Sequence, residues 1–152
     1  MMPAKKPTLD SSVLAVVLAL AALFIYAGAG KLSDRLEFAD TIAAFAILPE
    51  VLVNLLALAL PMFELGCGLL LLVPGTRRIG ALAVALISVV FFSALLSALL
   101  RGLVLDCGCF GSGAPSRPRM WLELGLDAVV FSGALFVYYR RLRSDGNARL
   151  AF

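Results

Sequence analysis

Four long apolar stretches, separated by short polar segments, set the pattern of this chain. They cover residues 12–30, 48–73, 79–105 and 121–139. Each reaches the roughly 20 residues that a helix needs to cross the hydrocarbon core of a bilayer. Helix is the expected conformation, because lipid leaves exposed backbone N–H and C=O groups without partners. The pattern therefore predicts an all-α integral membrane four-helix bundle with both termini on one side. The third stretch would be about 40 Å long as one continuous helix, more than the core requires. It is expected to project or break near Arg101-Gly102.

Between the first two spans, Phe38, Ile42, Phe45 and Leu48 recur at helical spacing, with Asp34, Glu37 and Asp40 among them. That spacing predicts a short amphipathic helix lying in the interface. The competing reading is a loop packed on the bundle. The first span has a rival reading too. Lys5, Lys6, the apolar run and Ala27-Gly28-Ala29-Gly30 resemble a secretory signal, though the run is long for one.

Composition supports the membrane reading. Hydrophobic residues make up 62% of the 152 positions and charged residues 15%. A soluble domain is nearer about half apolar and a quarter charged, and a chain this short cannot bury the excess. The net charge is +3, and its positive residues sit at the tips of apolar runs rather than in a stripe among aromatics. This argues against nucleic acid as a partner and for membrane orientation. Lys5, Lys6, Arg77, Arg78, Arg140, Arg141, Arg143 and Arg149 would share one side, against Lys31, Arg35, Arg101, Arg117 and Arg119 on the other. The richer side is expected to be cytoplasmic. Residues 1–11 and 140–152 are then cytoplasmic segments flanking a transmembrane domain at 12–139, and the 101–120 loop faces outward.

That loop carries Asp106-Cys107-Gly108-Cys109-Phe110. A periplasm is oxidising, and disulfides persist there. Gly108 permits the backbone bend that a Cys107–Cys109 bond requires. The ring would be small and strained, and strained exposed disulfides are the exchange-prone kind. A ring so short also gains little chain-entropy stabilisation. Redox exchange therefore suits the pair, with Arg101 as the nearest cation in sequence and Asp106 opposing it. Other readings remain: a plain structural turn, soft-metal binding, or disulfides to other chains. Two thiolates without any histidine fall short of a four-coordinate zinc site, and no metal site is assigned.

Three other residues stand out. Glu64 lies inside the second span, beside Pro61 and beside Gly66 and Gly68, which are expected to permit close helix approach. A carboxylate is expensive there and usually faces the bundle interior, as a helix clamp or a functional group. Asp127 lies one turn beyond Glu123 on the fourth span, within reach of Lys31 or Arg101 as partners. Cys67 sits deep in the second span and reads as a buried structural thiol. The chain holds no phosphate loop, dinucleotide fingerprint or nucleophile–base pair.

Several segments together carry a family resemblance. They are Ala27-Gly28-Ala29-Gly30-Lys31-Leu32, Phe38-Ala39, Leu48-Pro49, Pro61 with Glu64-Leu65-Gly66, and Arg101-Gly102 leading to Asp106-Cys107-Gly108-Cys109-Phe110-Gly111. The pattern, over about residues 13–139, resembles the methylamine utilisation protein MauE family within the DoxX-like group. The resemblance implies a redox-associated inner-membrane protein. Its partner would be an extracytoplasmic thiol, a thioredoxin-like protein or a dehydrogenase subunit, and quinone is a candidate electron acceptor. Cys107 and Cys109 would be the redox pair, and Glu64 the polar residue of the bundle. The alternatives are a non-catalytic membrane subunit or chaperone, and metal handling.

Overall fold

A computed structural model gives an all-helical chain, described over residues 11–105 and 116–149, with side chains described as far as residue 143. Five helices follow in order: α1 (Ser11–Ser33), α2 (Arg35–Ala44), α3 (Glu50–Leu72), α4 (Arg77–Leu100) and α5 (Arg117–Arg149). Four of them, α1, α3, α4 and α5, are long and apolar enough to cross a membrane. α1 packs along α3, α4 packs along α5, and α3 joins the two pairs through α4. Val17, Leu71, Ala81, Val84, Ala134 and Val137 fill the centre.

The helix ends follow local chemistry. α4 stops at Leu100 because Gly102 adopts a positive φ of 75°. Its N–H donates to the Leu99 carbonyl, and the Leu103 N–H donates to the Ala98 carbonyl. This is the paired C-terminal closure in which glycine supplies the left-handed residue. The apolar run that continued to residue 105 therefore breaks at Arg101-Gly102, and residues 103–105 are non-helical. α3 gives way at Val73, and the next residue, Pro74, has no N–H to continue the ladder. α5 runs past residue 139 to Arg149, so residues 140–149 prolong the last helix.

The segment between the first two spans forms α2, which is shorter than the apolar spacing implied. Asp34 caps it by accepting from the Glu37 N–H at 3.4 Å. Phe38 and Ile42 are buried against Val53 and Ala57 of α3. The helix ends by Phe45, and Ala46 takes a φ of 50°. Leu48 lies beyond the helix and is exposed.

Small residues set the closest helix contact. A Cβ on Gly28 would lie 2.8 Å from the Pro61 carbonyl oxygen, and one on Gly68 would lie 2.7 Å from Ile25 Cγ1. α1 and α3 thus meet backbone to backbone, as small residues allow in membranes. A Cβ on Gly66, expected to share this role, would meet nothing within 4 Å.

Candidate functional site

The close approach at Gly28 fixes where the next turn of α1 delivers its charge. Lys31 Nζ donates to Glu64 Oε1 at 2.5 Å, and both side chains are 2% exposed. Two rings complete the enclosure. Nζ lies 5.2 Å from the Phe38 centroid on α2 and 4.9 Å from the Phe91 centroid on α4. Ring faces attract a cation, more strongly once water is removed. Glu64 Oε2 is buried and has no hydrogen-bond partner among the described residues. A buried ion pair with a spare acceptor is costly for stability alone, because desolvation consumes most of its attraction.

α5 supplies two more acids. Glu123 is buried and pairs with Arg119 one turn earlier, Oε1 to Nε at 3.4 Å. Asp127 is half-buried and lies close enough to feel the charges of Glu123, Lys31 and Glu64. Lys31, Glu64 and Glu123, drawn from three helices, therefore all lie within electrostatic reach of Asp127. Such a group can hold or pass a proton, or take a ligand's hydrogen bond.

The same end of the bundle anchors the loop that follows α4. Leu95, Ala98, Met120 and Leu124 pack together, with Phe45, Leu103 and Leu105 against them. The Leu105 N–H lies 3.5 Å from the Met120 sulfur. Arg101 donates to the Phe45 carbonyl, and so ties the start of the loop to the α2–α3 connection. Asp106, Cys107, Gly108, Cys109 and Phe110 lie outside the described residues. Cys67 is a buried free thiol on α3, one turn from Glu64.

Among the residues singled out in the sequence, Glu64 and Asp127 lie within electrostatic reach of each other, and Arg101 sits on the surface at the loop's start. Arg119 takes Glu123, and Lys31 takes Glu64. Lys31 figured in the sequence as an orientation charge, a possible partner for Asp127 and part of the family pattern, but not as the partner of Glu64. The missed signal is the Gly28-x-x-Lys31 spacing, which places the lysine one turn past a contact glycine. Phe38 and Phe91 carried no signal beyond apolar periodicity.

Comparison with known proteins adds to this geometry. The family model described as methylamine utilisation protein MauE matches residues 9–140. The chain is 34% identical over 119 residues to methylamine utilization protein MauE of Paracoccus denitrificans, covering 78% of this chain and 63% of that one. It is 35% identical over 122 residues to the protein of that name from Methylophilus methylotrophus, covering 80% and 58%. The Paracoccus versutus protein is 36% identical over 117 residues, covering 76% and 62%. The chain thus spans about three-fifths of the length of the curated relatives it matches. No solved structure matches.

Proposed function

Because the chain belongs to the methylamine utilisation protein MauE family, we propose that it is an inner-membrane redox partner of an extracytoplasmic protein in methylamine utilisation. Cys107 and Cys109 are its working residues in this reading. The observation that carries it is the position of the loop's two ends. Leu105, two residues before Cys107, and Met120, three residues into α5, meet at the bundle end that holds the Arg119–Glu123 pair.

In the proposed exchange, a thiolate of the partner attacks the Cys107–Cys109 disulfide. A mixed disulfide forms, and the other loop cysteine leaves as a thiolate. A second partner thiol, on losing its proton, attacks the mixed disulfide and closes the partner's own disulfide. The loop is left as a dithiol. Restoring its disulfide removes two electrons and two protons and requires a membrane carrier, for which the DoxX-like resemblance suggests a quinone. The buried ionic cluster is the candidate route for the protons. With the termini cytoplasmic, the loop would face the oxidising compartment where such partners fold.

The test is the Cys107→Ser/Cys109→Ser double variant in cells grown on methylamine. It should insert and melt like the wild type, while the disulfides of the extracytoplasmic partner fail to form and growth on methylamine stops. Normal partner disulfides in this variant would sink the proposal. Co-purification of the same partner with the variant would then identify a non-catalytic subunit.

A further inference from the structure

The opposite end of the bundle holds a second set of charges that the redox reading does not use. Arg77 and Arg78 open α4, and Arg141 of α5 lies beside them. Cations are misplaced at a helix N-terminus, where the backbone dipole favours anions. The usual cap is missing as well. Thr76 turns its hydroxyl to the Leu70 carbonyl at 2.9 Å and makes no cap bond to α4. The first-turn N–H groups of α4 are therefore left without a side-chain acceptor.

Part of the arrangement is structural. Arg77 Nε donates to the Leu71 carbonyl at 3.0 Å, and Arg141 Nη2 donates to the Pro74 carbonyl at 3.1 Å, closing the end of α3. That role leaves much unspent. The Arg141 Nε is buried without a hydrogen-bond partner. Arg77 and Arg141 lie close enough to repel one another. Arg78 stacks over the Tyr138 ring at 5.3 Å, which holds its guanidinium at this end. Among the described residues, no carboxylate pairs with Arg77, Arg78 or Arg141. Like charges gathered at an uncapped helix start call for an anion.

We propose that this end of the bundle is a binding site for the phosphate of an anionic phospholipid, held by Arg78, Arg141 and the first turn of α4. Guanidinium forks match phosphate oxygens, and helix N-termini bind phosphate through backbone N–H groups. The lipid is the fitting source because the site lies at the end of two membrane-length helices, where headgroups are. Basic pockets at this depth on the cytoplasmic face hold anionic headgroups. The site is independent of the cysteine loop.

The test uses the purified full chain in neutral detergent, titrated with phosphatidylglycerol, phosphatidylcholine or inorganic phosphate. Retained lipid is read by native mass spectrometry, and stability by thermal melting. Phosphatidylglycerol should be retained and should raise the Tm, while phosphatidylcholine and inorganic phosphate at equal concentration do neither. Arg78→Gln/Arg141→Gln should weaken phosphatidylglycerol retention about thirtyfold, since each guanidinium near an anionic surface contributes about fivefold. Arg35→Gln, an exposed residue of α2, should leave it unchanged. The proposal is overturned if phosphatidylcholine is retained equally, if inorganic phosphate stabilises as well, or if the double variant binds like the wild type. The lipid comparison on the wild-type chain decides the matter even if the double variant fails to fold.

Discussion

Lys31→Met alone is expected to cost about 3–5 kcal/mol of stability, the loss typical when one member of a buried ion pair is removed. The reason is what remains. Glu64 is 1% exposed, and Lys31 is the donor to its Oε1. Without Lys31, both carboxylate oxygens would be buried with no ammonium nearby. Glu64→Leu should also destabilise the chain, because it removes the carboxylate that accepts from the buried Lys31 ammonium. The double variant Lys31→Met/Glu64→Leu should recover most of the loss, because apolar side chains of similar volume often replace a buried pair at little cost. Denaturation in detergent measures the three variants, and a coupling near zero would refute the buried pair. The double variant also separates two roles. A clamp alone would be replaced by apolar packing, and partner disulfides would form normally. If the cluster moves protons for the cysteine loop, stability returns and partner disulfides do not.

Gly28→Ala is expected to destabilise the chain by about 1–3 kcal/mol, the usual cost of overpacking a tight contact, and Gly28→Leu by more. The added Cβ would meet the Pro61 carbonyl oxygen at 2.8 Å and Leu65 Cγ at 2.9 Å. The Leu65 side chain can rotate away, but the Pro61 backbone can move only by pushing α3 off α1. Gly66→Ala is the matched control on the facing helix. It has open space, so the better helix propensity of alanine should leave stability unchanged or raise it by up to about 1 kcal/mol. Gly28 is also one turn from Lys31, so separating the helices there should draw the lysine away from Glu64. Thermal melting of the three variants checks the order. Equal effects at Gly28 and Gly66 would contradict the packing.

Much of this architecture was legible from run lengths and breakers. Four spans follow from four apolar stretches, and the end of α4 follows from Gly102, the residue able to take its positive φ. α2 was legible in its middle, where Phe38 and Ile42 sit at helical spacing, and not in its end. Leu48 continued the apolar pattern, but the chain turns at Ala46, a backbone event that hydrophobic spacing does not encode. The site was legible as separate parts. Glu64 was conspicuous because carboxylates are expensive in a span. Its partner lies 33 residues away and is chosen by the α1–α3 register, which depends on Gly28 meeting Pro61. The Arg119–Glu123 pair, by contrast, has ordinary one-turn helical spacing. It was passed over because Arg119 was counted with the loop rather than with α5. Gly66 was misassigned for the converse reason, since a sequence does not show which glycine of a pair faces a neighbour.

The redox state of Cys107 and Cys109 tests the proposed exchange most directly. Spheroplasts of cells grown on methylamine, with the outer membrane opened, are treated with a membrane-impermeant maleimide mass tag, with and without prior reduction. Two tags per chain are expected after reduction, on Cys107 and Cys109, and few without it. Cys67, buried in α3, should stay untagged in both cases. Two tags without reduction would contradict a working disulfide. Tags that appear only after the inner membrane is permeabilised would contradict the outward-facing loop.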